Sequence, residues 1–259
     1  MTELRGFYTL WLREVKRYLR DRTRIISSFV QPVLWLVVFG AGIGAALAAT
    51  SQIAGIGYQT LIFPGIVAQT LLFTAMFMGI SVIWDREFGF LKEILVAPVS
   101  RFTLFLGKMF GDSTDAIIQV VIVFGVALAL GIRFSLTAFL VALPLMLLIT
   151  LGLVSVGLII ASSIGSLESF GAIQSFINLP LFFLSGALFP LTGSNTPEWL
   201  RIASRVNPLT YGVDALKQTI LGAPYSALQL QPFWVDIGVV GAFDLLMIGI
   251  GTWAFSRMN

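Results

Sequence analysis

Apolar residues run along this chain in six long blocks, and the polar residues between them are distributed very unevenly. Blocks near 20 residues predict membrane-spanning helices, placed at Phe29 to Ala49, Leu61 to Trp84, Ala116 to Ile132, Leu136 to Ser162, Phe170 to Leu191 and Phe233 to Phe255. The third is short, and its helix has room to begin earlier, near Phe102. Pro32, Pro64, Pro144 and Pro180 fall inside these blocks, which membrane helices tolerate when neighbours or water re-satisfy the freed carbonyls.

Three polar intervals carry more information than the blocks. Ahead of the first, Leu4, Phe7, Tyr8, Trp11, Leu12, Val15, Tyr18 and Leu19 recur at helical spacing while Arg5, Arg13, Lys16, Arg17 and Arg20 fall elsewhere around the helix. That pattern predicts an amphipathic helix lying in a headgroup layer, or else one packed on a protein partner. Between the second and third blocks, Asp85 to Arg101 (DREFGFLKEILVAPVSR) alternates charges with aromatic and aliphatic residues and is stopped by Pro98. It reads either as a short helix that passes force from a soluble partner or as a solvated loop. Between the fifth and sixth blocks, Leu184 to Gly222 offers two helix starts, Thr196-Pro197 and Asn207-Pro208, each an N-cap residue followed by proline. Neither helix is long enough to span, so the pair reads as a re-entrant excursion anchored by Trp199 and Tyr211, or as an ordinary loop with two helical turns.

Composition agrees with a membrane domain: 57% hydrophobic and 11% charged residues, with mean hydropathy +0.93, far from the soluble average. The net charge of +3 is too small to suggest nucleic acid as a partner. Lys and Arg are distributed twelve to one side and four to the other, the larger group comprising the N-terminal segment, the interval after the second block and the C-terminus. The positive-inside rule then places both termini in the cytoplasm and Leu184 to Gly222 outside. The first 28 residues are too charged for a cleavable leader, so the first span is expected to act as its own insertion signal. With no Cys and no His, thiol, imidazole, disulfide and the usual zinc and haem chemistries are excluded. A phosphate-cradling GxxxxGK[ST] loop is also missing. Gly107-Lys108 is its nearest approach, with Met109 following and Phe102 where the first glycine belongs.

Charged and polar residues inside the blocks are the remaining candidates. Asp236 is near the outer end of the last block, and Asp244 falls near its middle, where an isolated carboxylate costs about 2.5–3.5 kcal/mol on insertion scales. Asp244 reads either as a counter-charge or proton site, or as an acid satisfied against another helix. Asp112 and Asp115 read as a cytoplasmic helix end. Gln174 and Asn178 share a helical face among Phe182, Phe183 and Phe189, as interhelical glue or as the lining of a route. Gly40 and Gly44 form a GxxxG spacing suited to close packing.

Three stretches together resemble the type-2 permease family of ATP-binding cassette (ABC) exporters: Leu12 to Gly40, Asp85 to Asp112, and SGALFPL (Ser185 to Leu191) with NPLTYGVDALKQ (Asn207 to Gln218). The resemblance covers nearly the whole chain. It implies an all-α polytopic membrane protein: one permease domain over 1–259, with six transmembrane helices, an interfacial helix within 1–28, a coupling helix within 85–101 and an outer re-entrant pair within 192–231. It also implies inner (plasma) membrane localisation, a second permease copy or paralogue, and two cytoplasmic ATPase subunits carrying ATP and Mg, so that this chain itself binds no cofactor and is not the enzyme. On this reading Glu87, Phe88, Leu91, Lys92 and Glu93 touch the ATPase. Gln174, Asn178, Phe182, Phe183 and Phe189 line the route of an amphiphilic, lipophilic or lipid-linked substrate. The rival expectations are an ATP-independent channel or secondary transporter using Asp244, and an assembly scaffold.

Overall fold

The computed structural model describes residues 2–43, 57–90, 99–192 and 196–258, and these form helices with no strand. In chain order they are α1 (Thr2–Arg20), α2 (Arg22–Val37, passing into a π-helical turn Val38–Ile43), α3 (Tyr58–Phe77), α4 (Ile80–Glu87), α5 (Arg101–Ala129), α6 (Leu136–Ser163), α7 (Leu167–Phe183), α8 (Glu198–Val206), α9 (Pro208–Leu221) and α10 (Phe233–Ser256). Among the described residues, four stretches are long and apolar enough to cross a membrane: Tyr58–Glu87, Arg101–Ala129, Leu136–Ser163 and Phe233–Ser256. The third expected span begins at Arg101, at the earlier of its two possible starts. Of the first expected span, residues 44–49 lie outside the described residues, as does Gly44 of the GxxxG spacing. Gly40 is a packing position, where a Cβ would stand 2.7 Å from Gln59 Cγ.

Serine caps start three of the helices. The hydroxyls of Ser100, Ser135 and Ser166 accept from the amides of Thr103, Ala138 and Ser169, satisfying N–H groups that the helix leaves unpaired. The bundle centre is built around α3, nearly every residue of which is buried from Leu61 to Met76. Glycines bring backbones together there: a Cβ at Gly79 would overlap the Gly157 carbonyl of α6, and one at Gly65 would overlap the Ala187 carbonyl.

The fifth expected span ends early. Its helix stops at Phe183, and residues 184–192 turn instead of continuing to Leu191. Gly186 takes φ 71°, a conformation that costs little only for glycine. Non-helical backbone at this depth needs donors, and α9 supplies them. Asn207 Nδ2 donates to Leu181 O at 2.7 Å, Thr210 Oγ1 to Leu184 O at 3.5 Å, and the buried Lys217 ammonium to Gly186 O at 2.6 Å. The two stretches SGALFPL and NPLTYGVDALKQ are thus one structural unit.

Asn207 also caps α9, its Oδ1 accepting from Leu209 N at 3.0 Å, with Pro208 in the first turn as expected. Thr196 does not cap α8: the helix begins one residue later, and Pro197, which has no cap hydrogen bond to offer, occupies the position before it. Because Asn207 serves two helices, Asn207→Ala should cost about 1–2 kcal/mol, seen as a lower melting temperature of the detergent-solubilised protein.

Candidate coupling junction and amide-lined pocket

The amphipathic α1 docks on α5. Gly107 and Gly111, one turn apart, leave room for it: added Cβ atoms would stand 2.9 Å from Leu10 Cβ and 2.7 Å from Glu14 Cβ. Trp11 Nε1 donates to Thr114 Oγ1 at 3.0 Å, and Phe7 meets Phe110 edge-on with centroids 5.6 Å apart. Leu4, Tyr8 and Leu19 remain exposed on the other side. The Gly-Lys pair that only faintly resembled a phosphate loop is therefore a helix-docking groove.

Lys108 within that groove is buried and meets two buried carboxylates, Glu14 Oε1 at 3.1 Å and Asp85 Oδ2 at 3.3 Å. Asp85, in the last turn of α4, also accepts from Arg13 at 2.8 Å and Arg17 at 3.5 Å. Asp112, four residues beyond Lys108 on the same helix face, is buried as well, as is Asp115. These two acids belong to the packed interior, correcting the expectation of an unremarkable helix end. Next to Asp85, Arg86 donates to Ile164 O at 3.0 Å and Ser162 O at 2.9 Å, capping the end of α6 with a cation where the helix dipole favours one.

The same α1 also holds the far end of the connecting segment. The Glu3 carboxylate accepts from Ser100 N at 3.0 and 3.2 Å and from its hydroxyl at 3.1 Å, and Gly6 lies against Val99. Hydrogen bonds from the Thr103 side chain and from Ser100 lower the Glu3 pKa from its ordinary 4.5. A depressed carboxylate favours the bound state above its free value and loses that advantage as pH falls through the shifted one. Ser100 amide exchange, corrected for intrinsic rate, should therefore be slow at neutral pH and become faster once the pH falls well below the ordinary carboxylate value of 4.5; Glu3→Ala should be fast at both.

Of the expected ATPase-facing residues, Glu87 ends α4, and Phe88 and Phe90 are exposed beside Gly89 at φ 77°. Leu91, Lys92 and Glu93 lie outside the described residues. Phe88 is a large apolar side chain left 72% exposed.

The expected route residues divide. Phe170, Gln174, Asn178 and Phe182 form the buried face of α7. Gln174 lines a cavity of about 220 Å³ together with Gln31, Gln69, Gln119, Phe73 and Phe77, and among the described residues no charged one lines it. Thr74 Oγ1 donates to Gln119 Oε1 at 2.6 Å. Gln69 is buried, and neither its oxygen nor its nitrogen has a partner among the described residues. An unsatisfied buried amide is costly and demands an explanation. Asn178 is buried, its Oδ1 without a partner among the described residues, and it is not among this cavity's lining residues. Phe182 packs edge-on against Trp35 and Phe73. Phe183 is exposed on α7, and Phe189 lies in the turning segment beyond the helix. Asp244 is buried between α10 and α6, where a Cβ on Gly152 would overlap its carboxylate, and it is not among the cavity's residues.

The sequence has known relatives. The ABC-2 type transporter family matches residues 5–221. The chain belongs to that family. Among its relatives, a protein of Cyanophora paradoxa named transport permease ycf38 is 32% identical over 232 residues, covering 86% of this chain and 79% of the relative. Nodulation protein J of Rhizobium leguminosarum bv. trifolii is 28% identical over 202 residues, 77% and 75% of the two chains. The doxorubicin resistance ABC transporter permease protein DrrC of Mycobacterium tuberculosis (strain CDC 1551 / Oshkosh) is 25% identical over 219 residues, 82% and 75%. As a member of the ABC-2 family the chain is a membrane-embedded transport permease. The family match spans both the α1 junction and the α7–α9 unit.

Proposed function

We propose that this chain is the membrane half of an ATP-driven exporter, with six spans in full and both termini in the cytoplasm. It works with a second permease copy or paralogue and two ATPase subunits that carry ATP and Mg. One observation supports the coupling role above others: α1 grips both ends of the 85–101 segment, through Asp85 at its start and Ser100 at its end. A push on that segment from the ATPase would reach α1, α5 and α6 together, because Asp85 and Arg86 tie the last turn of α4 to these three helices. Phe88 is the exposed apolar anchor for the ATPase, and Glu87, Lys92 and Glu93 steer its docking.

The amide-lined cavity supports a route beside α7 for an amphiphile moved outward. Gln69 and Gln174 offer donors and acceptors to an uncharged polar group, and Phe73 and Phe77 offer aromatic surface to an apolar body. The exposed stripe of Ile173, Phe176 and Leu179 on the opposite side of α7 is where a second copy would pack. Relatives named for nodulation and for doxorubicin resistance fit export of an amphiphilic, lipophilic or lipid-linked molecule.

Reconstitution into liposomes with the co-purifying ATPase tests this function. ATP-dependent outward movement of an amphiphile, retained in Asp244→Asn, is the expected result. Transport that needs no ATP and is abolished by Asp244→Asn would establish ion coupling instead.

A further inference from the structure

At the end of the bundle opposite α1, a second cavity, of about 270 Å³, lies between α8, α9 and the start of α10. Its wall on α8 carries Arg201, Ser204 and Arg205. The other face of that helix exposes Trp199, Ile202 and Val206, spaced i, i+3 and i+7, so they form one apolar stripe. A nine-residue helix with a Trp-bearing apolar face and a basic opposite face lies at the membrane interface. The cavity is therefore at headgroup depth.

Its floor holds two acids in different conditions. Asp214 is saturated: Oδ1 accepts from Tyr225 Oη at 2.7 Å, and Oδ2 from Leu230 N, Gln231 N and Gln218 Nε2 at 3.0, 3.2 and 3.0 Å. Asp236 accepts from the same Gln218 nitrogen at 2.9 Å through Oδ2. Its Oδ1 has no partner among the described residues although the residue is 0% exposed. Gln218 Nε2 also approaches Gln231 O at 3.0 Å, and two hydrogens cannot serve three acceptors fully. One buried carboxylate oxygen thus lacks a donor among the described residues, at the floor of a cavity whose wall includes Arg201 and Arg205.

We propose that this cavity binds a primary ammonium joined to a phosphate, carried by a bilayer aminophospholipid. The ammonium donates to Asp236 Oδ1, the phosphate meets Arg201 and Arg205, and the acyl chains run beside Trp199, Ile202 and Val206. Beside Asp236 the same cavity sets Arg201 and Arg205 and adjoins an apolar stripe, a combination that matches a headgroup carrying both charges on an apolar body. Charge-assisted hydrogen bonds to a carboxylate and bidentate guanidinium–phosphate pairs are the stronger members of their class. A quaternary choline, having no N–H, cannot replace the ammonium.

The test is lipid retention by the purified chain in detergent, read by native mass spectrometry, which needs neither ATP nor transport and so is independent of the exporter reading. Offered equal phosphatidylethanolamine and phosphatidylcholine, the wild type should retain the former about tenfold better, the factor expected from one charged hydrogen bond. Asp236→Asn should lose most of that preference, and Arg201→Gln with Arg205→Gln should weaken retention of both lipids. The arginine pair lies on the cavity wall, so that variant keeps the test open where Asp236→Asn fails to fold. Equal retention of the two lipids by the wild type, or an unchanged preference in Asp236→Asn, would overturn the proposal. Protection by soluble phosphoethanolamine in the absence of any preference among lipids would overturn the bilayer source.

Discussion

Asp85→Ala should be the most damaging single substitution outside the helix crossings. Removing this carboxylate takes away one of two buried partners of Lys108 and the best partner of Arg13. Breaking a buried ion network from one side costs about 3–5 kcal/mol, because a charge stays buried without its partner. The three cations will not suffer equally. Arg13 and Arg17 are about a third exposed and can turn their heads to water, whereas Lys108 cannot. The loss should appear as a large fall in monodisperse protein after mild heating. The double variant Asp85→Asn with Lys108→Met should recover part of it, since the buried ammonium is removed along with its carboxylate, while Glu14 keeps its 3.9 Å contacts with Arg13 and Arg17. If the double variant is as damaged as Asp85→Ala, the network is not what binds α1 to the bundle.

Gln174→Trp should abolish transport without dismantling the protein. The indole is larger than the amide it replaces and has the 220 Å³ cavity to occupy, so it fills space where overpacking of a dense core would otherwise cause strain. Transport should fall at least tenfold, the effect of about 1.4 kcal/mol on the limiting step, while ATP binding by the partner and assembly persist. Gln69→Leu provides the companion measurement. It removes an amide without partners, so it should raise thermal stability and lower transport. A stable Gln69→Leu that transports normally would remove this cavity from the route.

Much of the architecture was legible in the chain because apolar block length and proline-marked helix starts are local signals. Asn207-Pro208 is a cap followed by a first-turn proline in the structure as in the sequence. The failures have a shared cause, which is that partners lie far along the chain. Nothing in the apolar run after Pro180 marks the helix end at Phe183. That end depends on Gly186 and on a lysine 31 residues later that donates to its carbonyl. Gly107 and Gly111 gave no sign of a groove until α1, about 100 residues away, was laid into it. Gln69 escaped notice because its helix is apolar on every side and buried all round, so no face could be singled out. Gln174 was found because α7 has one polar stripe among exposed apolar residues. Phe189, read as part of the same helix, belongs to the turn that follows.

Under the proposed function, this permease takes its force from an ATPase through the 85–101 segment. The chain has no native cysteine, so a single cysteine at position 88 reports that contact without background. Co-expressed with the cognate ABC ATPase, it should cross-link to that subunit in the membrane, with a yield that changes when ATP binds, and Phe88→Ala should reduce substrate-stimulated hydrolysis while leaving membrane insertion intact. No cross-link from position 88 in any nucleotide state, together with undiminished stimulation in Phe88→Ala, would contradict the account.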